Sequence, residues 1–530
     1  MKGGKNQARD DGRIFTYQTR LRVLEAQEVA LAAYADLHGQ VERYLFVAMI
    51  KGGKAGQLKP EFMSSFGLTA RQYNAIAIGL RGKIASIKER RGGLIKEAEA
   101  RITKAQQVLG KLKRQRAGAD KIHQKTRRLA TTQARLATMK QDHQSGRARL
   151  CFGSKKLFGA QFNLAANGYD SLDAWRKDWK AARSSQFLVI GSKDETGGCQ
   201  GCVARLQPDG SLSLRLRLPD ALAKAGKHLE LHGVKFAYGH DNLLAALVAR
   251  TAISYRFVRD KTSWRVMAST AVVAPTLISR RALGAIGVDI NSDHLAVAEV
   301  DGSGNFVGGR KIGCLTYGKT SEQAKAQIGE AAKQIAELAL KSGKPVVIEK
   351  LDFTKKKAET ETMEPRAARQ LSSFAYNQTS QAIHSACFKR GVEVIEVNPA
   401  FTSVIGATNH AQRYGISVHL GAALAIARRG MGLSESPTVR MGVVPVHNGS
   451  HVTFSLPARN RQKHVWSFWS QTKTRLKVAH KVHARSGLAR ANPAPLPPRA
   501  TVGATWALPV RIRHANRWHS GSANVMADFI

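Results

Sequence analysis

Ala285-Ile286-Gly287-Val288-Asp289-Ile290-Asn291-Ser292-Asp293-His294-Leu295-Ala296-Val297-Ala298-Glu299-Val300 reads as two short strands joined by a polar turn. Each run is apolar, of strand length and bounded by turn residues, the pattern of strands buried on both faces. Asp301-Gly302-Ser303-Gly304 then makes a glycine-rich turn into a third strand near Asn305 to Ile312. The segment is a three-stranded meander with one aspartate, Asp289, in its first strand.

Working outward, Ile328, Ala331, Ala332, Ile335, Leu338 and Ala339 fall on one face of a helix. Pro345-Val346-Val347-Ile348-Glu349 reads as a buried strand, and a second helix leads to Val392-Glu393-Val394-Ile395-Glu396-Val397. The order β-β-β-α-β-α-β is that of the RNase H fold. In that fold the middle of the first strand lies beside the end of the fourth, so Asp289 and Glu349 are expected to meet. Two carboxylates held close repel unless cations sit between them, and two divalent ions there would activate a water and stabilise the leaving oxygen of a phosphodiester. Taken singly, Asp289 could cap a turn and Glu349 could face solvent beside Lys350; their matching strand positions favour the pair.

The 530-residue chain carries 83 Lys and Arg against 38 Asp and Glu, a net charge of +45. A field of that sign makes nucleic acid the first partner to consider, and the length calls for more than one folded unit. Met1 to Arg13 has no apolar core of a leader peptide, and no later run is long and apolar enough to span a bilayer, so a cytoplasmic, nucleoid-associated protein of a prokaryote is expected. The five cysteines are odd in number and scattered, which argues against a disulfide framework. Cys199 and Cys202 form a single CxxC without a second ligand pair, so the glycine-rich run Gly197-Gly198-Cys199-Gln200-Gly201 reads as a turn and no zinc is assigned.

Upstream of the meander the texture changes twice. Residues 24–146 are rich in Ala, Leu, Lys, Arg and Gln and read as long helices, an antiparallel hairpin broken near Ala117-Gly118-Ala119. Its candidate nucleic-acid contacts are Lys104, Lys111, Lys113, Arg114, Arg116, Lys121, Lys125, Arg127, Arg128 and Arg135. A solvated coiled coil would mix signs, whereas Asp120 is the only acidic residue between Lys104 and Lys140, which favours phosphate contact. Residues 1–23 and 147–281 read as short alternating strands, a β-barrel or sandwich into which the helices are inserted. Residues 282–433 hold the RNase H-like part, and 434–530 read as a basic, proline-punctuated extension, disordered after Asn492.

Gly287-Val288-Asp289-Ile290-Asn291, Val347-Ile348-Glu349-Lys350-Leu351 and the run from Lys389 to Ser403, ending Asn398-Pro399-Ala400-Phe401-Thr402-Ser403, resemble the split RuvC motifs of the TnpB and type V CRISPR effector superfamily. The resemblance is strongest from about Ala285 to Arg429, and Cys151-Phe152-Gly153-Ser154-Lys155-Lys156-Leu157-Phe158 resembles a TnpB-related branch. It implies an α+β multidomain protein: a wedge-like β-barrel, an inserted helical recognition lobe for a guide–target heteroduplex, and a RuvC nuclease domain. It also implies guide RNA and target DNA as partners, Mg²⁺ or Mn²⁺ as cofactor, and RNA-guided endonuclease activity with a transposon or CRISPR origin.

The chain departs from that family twice. The cysteine-rich ribbon that usually follows the Asn-Pro-Ala run is replaced by Val404-Ile405-Gly406-Ala407-Thr408-Asn409-His410. The third catalytic carboxylate usually precedes an Ala-Ala helix; aligning Gly421-Ala422-Ala423-Leu424-Ala425-Ile426 with that helix puts His419 there, and no aspartate lies between Asp352 and Asp528. His419 is thus the third catalytic candidate, as metal ligand or general base, with His410 and Asp293 ranked below it. A cleavage-dead RNA-guided DNA binder is the alternative, as is an unguided RNase H-like nuclease or RNA-binding protein.

Overall fold

The computed structural model describes residues 13–193, 195–260, 263–350, 376–437, 440–446 and 450–490, the last six of these by backbone alone. The chain divides into two compact units whose main border falls between Ala274 and Pro275, with Thr103–Lys111 grouped with the second. No helix among the described residues is long and apolar enough to cross a membrane.

In the first unit, strand β1 (Arg13–Arg20) precedes helices α1 (Glu25–Ile50), α2 (Ala55–Phe66), α3 (Ala70–Arg114) and α4 (Ala119–Gln144). Helices α5 (Lys155–Ala160) and α6 (Leu172–Arg183) lead to strands β2 (Gln186–Val189), β3 (Cys202–Leu206), β4 (Leu212–Arg217) and β5 (His228–Val234). After α7 (His240–Val248) come β6 (Ile253–Arg259) and β7 (Trp264–Val272). Strand β1 pairs antiparallel with β7, residue for residue from Arg13 against Val272 to Arg20 against Arg265.

Of the barrel and the sandwich expected, the described strands show no closed barrel. They make two sheets, ordered β1-β7-β6-β2 and β3-β4-β5. Both close on one core, with Phe187, Phe257 and Trp264 from the first sheet and Leu212, Leu214 and Leu216 from the second. The break lies between β2 and β3. A β-carbon on Gly191 would fall 2.2 Å from the Ile253 carbonyl oxygen, and Gly197 and Gly198 take φ of 59° and 70°, where only glycine is unstrained. The chain therefore turns in against β6, and β3 starts a new sheet. Cys199 and Cys202 follow this turn as free, buried thiols, and burial pushes Cys199 up to about 11.

Helices α3 and α4 form the antiparallel hairpin, turning where Arg116 takes φ 50°. Across it the Lys140 ammonium meets the Glu99 carboxylate at 2.7 Å, and the half of α3 nearer its start is tied by the Arg91 guanidinium, which donates to the carbonyls of Asp142 and Arg147.

The second unit is built on β8 (Ala285–Ile290), β9 (His294–Val300), β10 (Phe306–Gly313), β11 (Val346–Glu349) and β12 (Val394–Val397), in the order β10-β9-β8-β11-β12. The first three are antiparallel; β8, β11 and β12 are parallel. Alternation along β8 sends Ile286, Val288 and Ile290 to one face, against helices α8 (Ser321–Ser342) and α9 (Tyr376–Phe388). Ala285 and Val347 face the other side, against Ala423, Leu424, Ile426 and Ala427 of a later helix. Between lie a short helix α10 (Thr402–Ile405) and a π-helical turn, Gly406–Ala411, before that later helix, α11 (Val418–Gly430). Thr320 caps α8 in a reciprocal box with Gln323, and Gly343 ends it in the left-handed region.

The basic stretch after Ser434, with disorder expected only beyond Asn492, forms two strands and a helix among its described residues. Strands β13 (Met441–Pro445) and β14 (His451–Ser455) form a hairpin, and helix α12 (Val465–Arg490) buries Phe468 and Trp469 against Val404, Ile405 and Ala425. Those two aromatics supply the burial energy, about 1.5–3 kcal/mol for a side chain of that size, that a polar tail lacks. The reading of disorder after Asn492 concerns residues outside the described ones.

The sheet–helix packing has one tight point. A β-carbon on Gly287 would lie 2.0 Å from the Ala423 carbonyl oxygen and 2.6 Å from the Ala427 nitrogen, both backbone. Gly287→Ala should lower the melting temperature by several degrees, an overpacking cost of about 1–3 kcal/mol. Gly329→Ala, on the exposed face of α8 with nothing within 4 Å, should raise stability by about 0.5–1 kcal/mol. Thermal melts followed by circular dichroism compare the two; equal shifts would mean that Gly287 is not a close-approach position.

Candidate catalytic site

The site follows from strand register. Strands β8 and β11 are parallel neighbours, with Val346 opposite Ile286 and Ile348 opposite Val288, so the next residues along are Asp289 and Glu349. Ile286 and Val288 face α8, as do Val346 and Ile348, and the two-residue period turns Asp289 and Glu349 to the opposite face, that of α11.

The first turn of α11 supplies the third residue. Ser417 caps the helix, its hydroxyl accepting from the Leu420 N–H at 3.2 Å. His419, two residues on, puts Nδ1 3.2 Å from Asp289 Oδ2. Asn291 donates to the same oxygen at 2.9 Å. His419 is 45% exposed and Asp289 13%, so the histidine sits at the mouth and the carboxylate beneath it. The ring of His294 meets that of His419 edge-on, with centroids 5.0 Å apart, and His294 Nδ1 lies 2.8 Å from Asp293 Oδ1.

Glu349 is held from two sides. The buried Thr402 hydroxyl donates to its carboxylate, and the Tyr376 hydroxyl donates to its backbone carbonyl. Burial pushes the Tyr376 phenol up, and the charges of Glu349, Glu396 and Asp289 push it further, so it stays a neutral donor. Arg429, at the other end of α11, donates to the Asn398 and Ala400 carbonyls; burial lowers its pKa while Glu349 and Glu435 oppose that shift.

Asp289, Glu349 and His419 therefore lie on one face of one sheet, with Asp289 bonded to His419. Of the lower-ranked candidates, Asp293 pairs with His294, and His410 is buried against Glu435 Oε1 at 3.2 Å. Thr402, Tyr376, Asn291 and His294 were not singled out from the sequence. Thr402 and Asn291 carried a signal, their places in the Asn-Pro-Ala-Phe-Thr-Ser and Gly-Val-Asp-Ile-Asn runs. Glu435 was also missed: it accepts from Arg428 as well as facing His410, which commits it to a buried ion-pair cluster.

Asp289 and Glu349 offer the hard oxygen donors that Mg²⁺ or Mn²⁺ take. Among the described residues no group of three His, Cys, Asp or Glu stands ready to hold a metal ion. Mg²⁺ is commonly held by one or two carboxylates, with waters and substrate phosphates completing its shell, so the pair suits an ion that arrives with nucleic acid. His419, with Nδ1 turned to Asp289, leaves Nε2 for either a metal ion or a proton.

Of the basic residues expected to contact phosphate, Lys104 and Lys125 are half-buried. Lys111, Lys113, Arg114, Arg116, Lys121, Arg127, Arg128 and Arg135 are exposed along α3, its turn and α4.

No family model matches the chain, and no curated protein matches it. Solved structures with some likeness include T. thermophilus RuvC in complex with a Holliday junction substrate, 20% identical over 27% of this chain and 90% of that one, at a TM-score of 0.20. A Cas12f1–sgRNA–target DNA complex is 14% identical over 46% of this chain and 65% of that one, at 0.20. A CRISPR-Cas12f ternary complex is 11% identical over 78% of this chain and 98% of that one, at 0.19.

Two outcomes follow. Burial raises the Glu435 carboxyl, but the hydrogen bond from His410 and the charges of His410 and Arg428 outweigh it and hold the group below its ordinary 4.5. Its stabilisation is present above that value and is lost as pH falls through the lower folded one. Urea unfolding should show wild-type stability falling below about pH 4.5 and Glu435→Gln falling less, while at pH 7 the variant is weaker by about 3 kcal/mol because Arg428 loses its partner; parallel acid limbs would take Glu435 out of the account. In the hairpin, changing Lys111, Lys113, Arg116 and Arg127 together to glutamine should weaken nucleic-acid binding at every sequence alike and flatten its salt dependence by about 0.7–0.9 for each phosphate no longer neutralised. Anisotropy titrations across salt concentrations read this, and an unchanged slope would remove the hairpin from the interface.

Proposed function

We propose that the protein is an RNA-guided DNA endonuclease of RuvC type. The observation that carries the catalytic half of this reading is the emergence of Asp289 and Glu349 side by side on the face where α11 brings His419. Nothing in nucleic-acid binding alone calls for two carboxylates on neighbouring strand ends of a chain with a net charge of +45.

Asp289 and Glu349 would hold Mg²⁺ or Mn²⁺, which when bound activates water and stabilises the leaving oxygen of the phosphodiester. Thr402 and Tyr376 orient Glu349; Asn291 and His419 orient Asp289. With Nδ1 engaged by Asp289, His419 has Nε2 left to accept the proton of an attacking water. The guide RNA comes from the motif resemblance, and with it the roles proposed for the first unit: its sheets as the wedge, its helices as the lobe that grips a guide–target duplex. The TnpB-like, transposon-derived branch rests on the same motifs.

A second reading, a guided DNA binder that does not cut, is favoured by one feature: a histidine stands where the family has its third carboxylate. The two are separated by expressing the protein with its native locus, sequencing the RNA that copurifies, and testing guided cleavage of a plasmid library with randomised flanks in Mg²⁺. We expect guide-dependent cuts in the wild type, none with Asp289→Ala, and a loss of at least about a hundredfold with His419→Ala. Tight target binding without cuts would favour the binder, and protein free of any discrete RNA would sink the guided reading.

A further inference from the structure

The first unit contains a cavity of about 560 Å³ between α1, α6 and the segment that carries Cys151 to Phe158. Its walls are of two kinds. Phe152, Phe158 and Trp179 supply aromatic faces; Arg43, Arg183 and Lys155 supply cations. None of the three cations has a carboxylate partner among the described residues. Arg43 donates to the Arg183 carbonyl at 3.3 Å and Arg183 to the Trp179 carbonyl at 3.3 Å. The carboxylates nearest Arg43 along α1 are already engaged, Asp36 by the Ser184 hydroxyl at 2.6 Å and Glu42 by Lys83 at 2.8 Å.

The backbone is shaped for this cavity. Gly153 takes φ 92°, and a β-carbon there would come within 2.9 Å of the Trp179 ring. A β-carbon on Gly39 would lie 2.3 Å from the Arg183 carbonyl oxygen, so α1 and the end of α6 approach as closely as backbones allow. Trp179 is stacked on Trp175 at 5.8 Å and carries the Arg183 guanidinium over its face at 4.9 Å. Phe158, 47% exposed, stands at the rim with Phe162, 77% exposed, beyond it.

We infer that this cavity binds one unpaired nucleotide of an RNA, its base against the exposed Phe158 ring at the rim and its phosphate held by Arg43 and Arg183. The volume lies in the range of small-ligand pockets, and aromatic faces with arginine planes are how proteins take hold of splayed-out bases. RNA loops and ends offer bases already unstacked, whereas duplex DNA must first unstack one, which favours a single strand over a duplex as the occupant, and the RNA is the one the proposed function calls for. The inference rests on the protein being an RNA binder and is independent of whether it cuts.

Cysteine chemistry gives a test on the unaltered protein. Cys151 lines the cavity and is half-buried, while Cys199, Cys202, Cys314 and Cys387 are buried, so a maleimide should label Cys151 first. A mixed-sequence single-stranded oligoribonucleotide at saturation by anisotropy should slow that labelling at least about fivefold, and a DNA duplex of equal charge should not. Phe158→Ala and Arg43→Gln should each weaken oligoribonucleotide binding about tenfold, Arg43→Gln alone flattening the salt dependence. Undiminished labelling with the oligoribonucleotide bound, equal protection by the duplex, or both variants binding within twofold of wild type would each overturn the proposal. The readout is binding, so loss of guided cleavage with Cys151 protection intact counts against the nuclease reading alone.

Discussion

Helix α11 lies so close upon the central strand of the second unit that position 287 has no room for a β-carbon. Most of the candidate catalytic site depends on that contact. It sets the distance between the sheet and the element that brings His419 over Asp289. The small residues of α11, Ala423 and Ala427 at the contact and Gly421 against Gly406 one turn earlier, let backbones meet where side chains usually intervene. The cost is a helix with little side-chain bulk at its centre. Leu424 and Ile426 on its flanks make up for it.

The second unit was legible because its information is local. Apolar runs of strand length bounded by turn residues mark β8 and β11, and two carboxylates at matching strand positions imply their own proximity once the strand order is known. The α3–α4 hairpin was legible for the same reason: apolar residues at three- and four-residue steps, and a break at Gly118. His419 needed the motif resemblance, because a histidine near a helix start carries no catalytic signal by itself.

The parts that escaped depend on non-local geometry. Whether β2 continues into β3 or breaks from it is decided by the close approach of Gly191 to Ile253, more than sixty residues away, which no window of sequence contains. Tyr376 and Thr402 act on Glu349 from elements that meet only in the folded unit. In the basic segment after Ser434, charge and proline masked two short alternating runs. Those few apolar residues outweigh the composition around them.

The hairpin arm has a length as well as a charge. Helix α4 spans 26 residues, which at 1.5 Å per residue is about 39 Å. A duplex rising 3.4 Å per base pair covers that span in roughly eleven pairs. As a caliper for a duplex the arm would measure about one helical turn, and a duplex lengthened beyond that turn would gain no further grip there. If the arm holds nucleic acid, its footprint is set by the number of residues in α4, a dimension that insertions or deletions of whole helical turns would change in steps.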